Sequence, residues 1–321
     1  SAAAAGMTSR SPTVAVLAGG VGAARLLRGL VRVVDAAAVT ALVNVADDVT
    51  LHGLHISPDL DTVTYTMAGE DNTETGWGLR GETWQAMTMV QRYGGIDWFN
   101  LGDRDLGTHL YRTQRLNDGA TLAEVTAEIT AAWQLGLTLL PITNDRIETR
   151  VTVPSEGEIG FQEYFVRLRH DVSVESVRFA GAEQCAPAPG VLEAIGGADV
   201  LIVAPSNPIV SIGPLLAVPG IRSALTARRA DAVAVSPIIA GKALKGPADR
   251  LMAELGMDAS VTGVAEIYRE LVATLVIDNA DAALAADVEA AGVDCVVTDT
   301  IMRDADVAAD LCRTILASHP T

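Results

Sequence analysis

Short apolar runs alternate with amphipathic segments along most of this chain. The runs at 13–18, 39–45, 199–204, 231–235, 273–277 and 294–297 are dominated by Val, Leu, Ile and Ala. Runs without polar alternation read as strands covered on both faces, as in a parallel sheet. A helical pattern follows the first of them, with Ala23, Leu26, Leu27, Leu30, Val31 and Val34 at three- and four-residue spacing. This rhythm predicts an α/β protein with a doubly wound, mainly parallel, Rossmann-like sheet.

The rhythm breaks between residues 69 and 189. Up to about Ala132 the segment reads as helical and carries most of the aromatic residues. Beyond it, 146–153, 161–169 and 172–179 alternate apolar with polar, which predicts half-buried antiparallel strands. The expected organisation is a core of residues 7–68 and 190–321 with an inserted helical and β cap at 69–189. Residues 1–6, ahead of Met7, read as an expression-tag remnant outside the fold.

Composition sharpens this picture. Among 321 residues, 49% are hydrophobic but only 4% aromatic, so the core must be aliphatic. The net charge of −17 argues against a nucleic-acid or anionic-membrane partner. No apolar run approaches the roughly 20 residues that span a bilayer, and a cytoplasmic protein is expected. Cys185, Cys295 and Cys312 lie far apart without CxxC spacing, which reads as buried thiols in a reducing compartment.

The chemistry concentrates where the run 39–45 ends. Asn44 to Thr62 holds Asp47, Asp48, Asp59 and Asp61 together with His52 and His55. Ligands of open parallel sheets bind at the carboxyl ends of strands. Carboxylates gathered there suit a hard cation such as Mg²⁺ shared with phosphate. Asp48 and Asp61 are the first choice as ligands, with Asp47 and Asp59 assisting. Asp59 and Asp61 sit two apart on a helix that Ser57 and Pro58 open, so they point in different directions. His55 suits a hydrogen-bonding or substrate-orienting role better than ligation of a hard metal.

Three loops offer further contacts. Gly19-Gly20-Val21-Gly22 opens a helix whose free N–H groups can receive an anion. Arg25 stands where a dinucleotide fingerprint needs its third glycine, and a tight turn without a ligand fits equally well. Ser206-Asn207, Ser236 and the pairs Gly241-Lys242 and Lys245-Gly246 leave strands at the same edge and could cradle phosphate. Trp77, between Gly76 and Gly78, either fills core or stacks on a flat ligand.

Taken in order, Gly19-Gly-Val-Gly22, Asn44-Val-Ala-Asp-Asp48, Ser57-Pro-Asp-Leu-Asp-Thr62, Leu101-Gly-Asp-Arg-Asp105 with Thr108-His109, Ala204-Pro-Ser-Asn-Pro208, Ser211-Ile-Gly-Pro214 and Ser236-Pro-Ile-Ile239 form a set. From Thr13 onward the chain resembles the 2-phospho-L-lactate transferase (CofD-like) family of deazaflavin coenzyme biosynthesis. The resemblance implies transfer of a three-carbon acid phosphate from a guanosine-diphospho donor to 7,8-didemethyl-8-hydroxy-5-deazariboflavin. GMP is released and the first form of coenzyme F-420 results. Gly-Gly-Val-Gly with Trp98-Phe99 looks more like the actinobacterial, enolpyruvyl-using relatives than the lactyl-using ones. Asn100 stands where some relatives carry a lysine that contacts the deazaflavin.

On this reading Mg²⁺ held by Asp48 and Asp61 bridges the diphosphate, and Asp61 takes the hydroxyl proton. Ser206, Asn207, Ser236, Lys242 and Lys245 hold the nucleotide, Trp77 covers the deazaflavin, and the enzyme pairs as a homodimer. The rivals are an NAD(P)-dependent oxidoreductase and a nucleotide-sugar-binding regulatory protein of the related family. Asp61→Asn is expected to keep the fold and lose Mg²⁺-dependent GMP release, measured by nucleotide chromatography; near-normal release would remove Asp61 from the metal site.

Overall fold

The computed structural model describes residues 11–319; residues 1–6, expected above to be a tag remnant, lie outside the described residues. Seven strands build one parallel sheet: β1 (Val14–Ala18), β2 (Val39–Val43), β3 (Thr138–Pro141), β4 (Val200–Val203), β5 (Ala232–Val235), β6 (Thr274–Asp278) and β7 (Asp294–Thr298). Their order is β7-β6-β5-β4-β1-β2-β3. In register, Val14 of β1 lies between Val39 of β2 and Val200 of β4, and both ladders are parallel. β1 and β4 are buried along their whole length, as apolar runs without alternation require. The chain winds outward from β1 through β2 to β3, then returns to β4 on the other side. The direction therefore reverses at β1, which leaves a crevice above its carboxyl end.

Helix α1 (Gly20–Leu30) buries Ala23, Ala24, Leu26, Leu27, Gly29 and Leu30. It packs against α2 (Pro58–Ala68) and the C-terminal helix Ala305–Ser318. The second contact is very close, since a Cβ on Gly29 would lie 2.4 Å from the carbonyl carbon of Ala308. Small residues on both helices permit this approach, in keeping with the alanine-rich composition.

Residues 69–189 contain three helices, α3 (Gln85–Arg92), α4 (Asp103–Asn117) and α5 (Leu122–Ala132). An antiparallel sheet of Gly157–Gly160, Glu148–Val153 and Ser176–Ala180 follows them. Two expectations need correction. β3 lies inside this segment yet pairs with β2 as the edge of the central sheet, so the segment is not a separate cap. Within the stretch 161–169, residues 161–167 are helical rather than extended. Phe161, Tyr164, Phe165 and Leu168 pack together at helical spacing, a period that coexists with the alternation in this sequence.

Among the described residues no single helix is long and apolar enough to cross a membrane. The bent pair Pro208–Ala217 and Ile221–Ala227 has a suitable composition, but Val210, Ile212, Leu215, Ile221 and Leu225 are buried in the protein core. The three cysteines are free, and Cys295 is only half-buried.

Gly29→Ala is expected to force α1 away from Ala308 and cost about 1–3 kcal/mol. A lower denaturant midpoint at unchanged slope would show it, whereas an unshifted midpoint would mean the helices slide apart freely.

Candidate active site

The acidic cluster is assembled by Asn44, directly after β2. Its backbone N–H still donates to Ala18 O at 3.0 Å, so strand geometry fixes its position. The side chain is fully buried. Its Nδ2 donates to Asp47 Oδ2 and to Asp59 Oδ2, both at 3.0 Å, and its Oδ1 accepts from Ala46 N at 2.9 Å. One amide thus ties the end of β2 to the first turn of α2.

Asp48 is placed by a hairpin. Strands Val49–Leu51 and Leu54–Ile56 pair antiparallel around a two-residue turn, His52-Gly53, in which both residues have positive φ. His52 is therefore an exposed turn residue. The returning strand brings His55 Nε2 to 2.9 Å from Asp48 Oδ2, and Ser57 Oγ donates to the same oxygen at 2.7 Å. Ser57 occupies the N-cap of α2 as its sequence predicts, but its hydroxyl serves Asp48 instead of the helix.

These carboxyls are hard to ionise. Burial, followed by the negative charge of Asp59, pushes Asp47 well above its ordinary range. Burial also raises Asp48, and it raises Asp59 to about 7 with help from the charge of Asp48. Asp47 Oδ1 and Asp48 Oδ1 are buried without any hydrogen-bond partner. Crowded carboxylates with orphaned oxygens form the kind of donor set that a hard divalent cation satisfies. Asp47, Asp48 and Asp59 supply oxygen donors of the type that Mg²⁺ takes, although their ligand atoms do not all come within 4.8 Å of one another.

Asp61 sits elsewhere. Both terminal nitrogens of Arg112, on α4, bind its carboxylate. Arg112 is only 2% exposed. His109 Nδ1 lies 3.6 Å from Asp61 Oδ2, and His109 Nε2 lies 3.2 Å from Asp105 Oδ2. Tyr65 OH reaches Asp105 Oδ1 at 2.6 Å and Thr108 Oγ1 at 2.7 Å. Burial opposes ionisation of Asp105, but His109, Tyr65 and Arg112 outweigh it and hold its pKa low. Asp61, Asp105 and His109 are the one group among the described residues whose three ligand-type atoms all come within 4.8 Å of one another. The Arg112 guanidinium offsets one of the two carboxylate charges in that group and ties α2 to α4 through Asp61. Sequence reasoning missed Arg112, although Asp105, His109 and Arg112 stand at i, i+4 and i+7 and so share one helix face.

The glycine turn is built for close approach. Gly20 has φ +70°, and a Cβ on Gly22 would lie 2.4 Å from Pro205 O. Ser206 Oγ donates to Gly19 O at 2.6 Å and accepts from Gly19 N at 3.3 Å, joining the loops after β1 and β4. The N–H end of α1 faces Asp59, through Gly20, so an aspartate of the protein already complements that helix end. Asn207 Oδ1 accepts from Ile209 N and Val210 N and caps the next helix. Ser236 Oγ bonds Ile238 N and O and closes its own turn. The polar atoms of these three side chains are thus engaged largely with backbone. Lys242 is exposed and lies 3.5 Å from Asp249. Lys245 reaches the loop that carries Trp77, since a Cβ on Gly76 would lie 2.9 Å from Lys245 Nζ. Trp77 is 43% exposed and packs edge-on against Trp84, their ring centres 5.7 Å apart. Asn100 is exposed just ahead of α4. A cleft of 190 Å³ opens between α1, α2 and the Trp77 loop.

A doubly wound sheet with an acidic pocket and a glycine turn at its reversal point defines a Rossmann-like ligand-binding protein. Comparison with known proteins narrows this class. The family described as 2-phospho-L-lactate transferase CofD matches residues 14–317. The phosphoenolpyruvate transferase of Streptomyces griseus is 46% identical over 94% of this chain and 97% of its own length. That of Mycobacterium ulcerans is 44% identical over 93% and 96%. A crystal structure of a UPF0052 family member from Bacillus halodurans shares the fold, with a TM-score of 0.63 and 19% identity over 96% of this chain and 99% of that one. The chain belongs to the 2-phospho-L-lactate transferase CofD family of transferases.

Two outcomes are expected. Asp61→Asn leaves a guanidinium buried without its anion, so this ion pair revises the expectation of an intact fold to a loss of about 3–5 kcal/mol. Adding Arg112→Met should recover part of that loss in a double-mutant cycle; simple additivity would refute the coupling. The raised carboxyls give a pH dependence of stability. Between roughly pH 4 and 7 these three carboxyls hold more protons in the folded chain than in the unfolded one, so their contribution to stability falls as pH rises through this window. Mg²⁺ binds the ionised form, so it should raise the melting temperature more at ~pH 8 than at ~pH 5.5. An equal shift at both values would count against a metal at this cluster.

Proposed function

We propose that this chain transfers a phosphoenolpyruvyl group, or its 2-phospho-L-lactyl counterpart, from a guanosine-diphospho donor to the ribitol hydroxyl of 7,8-didemethyl-8-hydroxy-5-deazariboflavin. GMP leaves, and the product is an early form of coenzyme F-420. The observation that carries this reading is the set of crowded, partly unpartnered carboxylates beside the glycine turn, in a chain 46% identical to a phosphoenolpyruvate transferase. The names of these relatives favour the enolpyruvyl donor.

In this transfer the ribitol oxygen attacks the phosphorus nearer the three-carbon acid, and the bond from that phosphorus to the oxygen of GMP breaks. Such reactions depend on positioning and charge neutralisation more than on covalent help. Asp47 and Asp48, with Asp59, would hold Mg²⁺. Bound there, Mg²⁺ would neutralise the diphosphate and the leaving phosphate. Asn44 sets the spacing of Asp47 and Asp59. His55 and Ser57 orient Asp48. Asp59 lies against the glycine turn, 3.3 Å from where a Gly19 Cβ would stand, and is better placed than Asp61 to accept the hydroxyl proton. Asp61, gripped by Arg112, anchors the first turn of α2.

The test is mass spectrometry of products after incubating the protein with the deazaflavin precursor, Mg²⁺ and each donor in turn. GMP and an enolpyruvyl-phosphorylated product are expected, and Asp48→Asn should lower their rate by about 10²-fold or more. No product from either donor, with tight binding of a UDP-sugar instead, would favour the regulatory reading.

A further inference from the structure

The turn that carries Asp47 and Asp48 is held from a part of the chain that the mechanism above leaves unused. Residues 45–48 form a tight turn, closed by Asp48 N donating to Val45 O at 3.2 Å. Each of the two aspartates keeps one buried oxygen without a hydrogen-bond partner. The other two carbonyls of the turn are taken by the antiparallel lobe. Thr149 N donates to Ala46 O at 2.8 Å, and Gln162 Nε2 donates to Asp47 O at 3.0 Å. The first is a main-chain bond that almost any residue at 149 would make. The second depends on one side chain, which is only 8% exposed. Because a peptide group is rigid, that bond fixes the plane of the unit joining Asp47 to Asp48. A carbonyl buried without its donor is costly, so the turn has little freedom while Gln162 is in place.

Gln162 is itself firmly placed. On its N-terminal side, Glu163 Oε2 accepts from Gly160 N at 2.9 Å. On its C-terminal side the helix widens into a π-helical turn, Glu163–Arg167, whose Tyr164 is fully buried. Such turns are uncommon and are found frequently at functional sites. Phe161 and Phe165 stack with ring centres 5.4 Å apart. Both belong to one apolar cluster with Ile209 and Val210, from the helical segment after β4. The helix at 161–167 therefore touches the segments that follow both β2 and β4, and it aims one amide at the aspartate turn.

We propose that Gln162 is a positioning residue, whose amide holds the Asp47–Asp48 peptide so that the two carboxylates can converge on one cation. Given the metal reading above, on which this inference rests, the antiparallel lobe sets the affinity of the cluster for Mg²⁺ through one hydrogen bond.

Two variants of the full-length chain test this. Gln162→Met nearly keeps the volume and removes the donor. Val153→Ala opens a cavity in the apolar core of the lobe without touching the turn. In metal-free protein, amide exchange over residues 44–50 should quicken about tenfold in Gln162→Met and keep its wild-type rate in Val153→Ala. Mn²⁺, which shares the preference of Mg²⁺ for oxygen donors, serves as the paramagnetic probe. Its affinity, read by electron paramagnetic resonance, should fall about tenfold in Gln162→Met alone. Excess Mg²⁺ should then recover most of the GMP release that this variant loses. Wild-type exchange or wild-type Mn²⁺ affinity in Gln162→Met, or equal losses in both variants, would overturn the positioning role. Quickened exchange in Gln162→Met, with no Mn²⁺ bound even by wild type, would instead overturn the cation reading and leave the hold on the turn standing.

Discussion

Everything at the site depends on one buried amide holding two carboxylates that repel each other. Asn44 donates from a single nitrogen to Asp47 and Asp59, while the Ala46 N–H fixes which end of the amide faces them. Burial already makes both groups hard to ionise. Without the amide they would lack a shared donor and would separate. Because Asn44 is still bonded to β1 through its backbone, the sheet itself sets the distance between the end of β2 and the start of α2. The rigid part of the fold thus reaches Asp47 and Asp59 through this side chain.

A second device works alongside it. In a protein of net charge −17 a buried cation is a strong constraint, and Arg112 supplies one that solvent cannot screen. By gripping Asp61 it fixes α2 against α4, and the Asp105–His109–Tyr65 contacts keep α4 in place. Such a lock adds little net stability over an apolar contact, but it penalises misplacement of either helix strongly. Asp59, two residues from Asp61, inherits that placement.

Much of this could be read from the sequence, for identifiable reasons. Strands buried on both faces appear as uninterrupted apolar runs, so six of the seven central strands could be found, and with them the edge where ligands gather. β3 escaped because its flanks, Thr138 and Pro141, interrupt the run at an edge strand. The helix at 161–167 escaped because its apolar residues satisfy two periods at once. Within the candidate site, sequence spacing singled out Asp48 and Asp61, with Asp47 and Asp59, but not the partners of any of them. The pairing of Asp61 with Arg112, of Ser57 with Asp48 and of Lys245 with the Trp77 loop joins residues distant along the chain or bent back by a hairpin. No local pattern encodes those meetings.

The placement of β3 bears on how this protein could be re-engineered. A lobe that merely sat on the sheet could be excised and a different one transplanted to suit another acceptor. Here the segment contributes the outermost rung of the main ladder, and Gln162 from the same segment donates to the backbone of Asp47 at 3.0 Å. Any replacement would have to re-enter the sheet beside β2 and restore that bond. The segment is stitched into the scaffold, and new specificity is better sought by changing individual side chains than by swapping it whole.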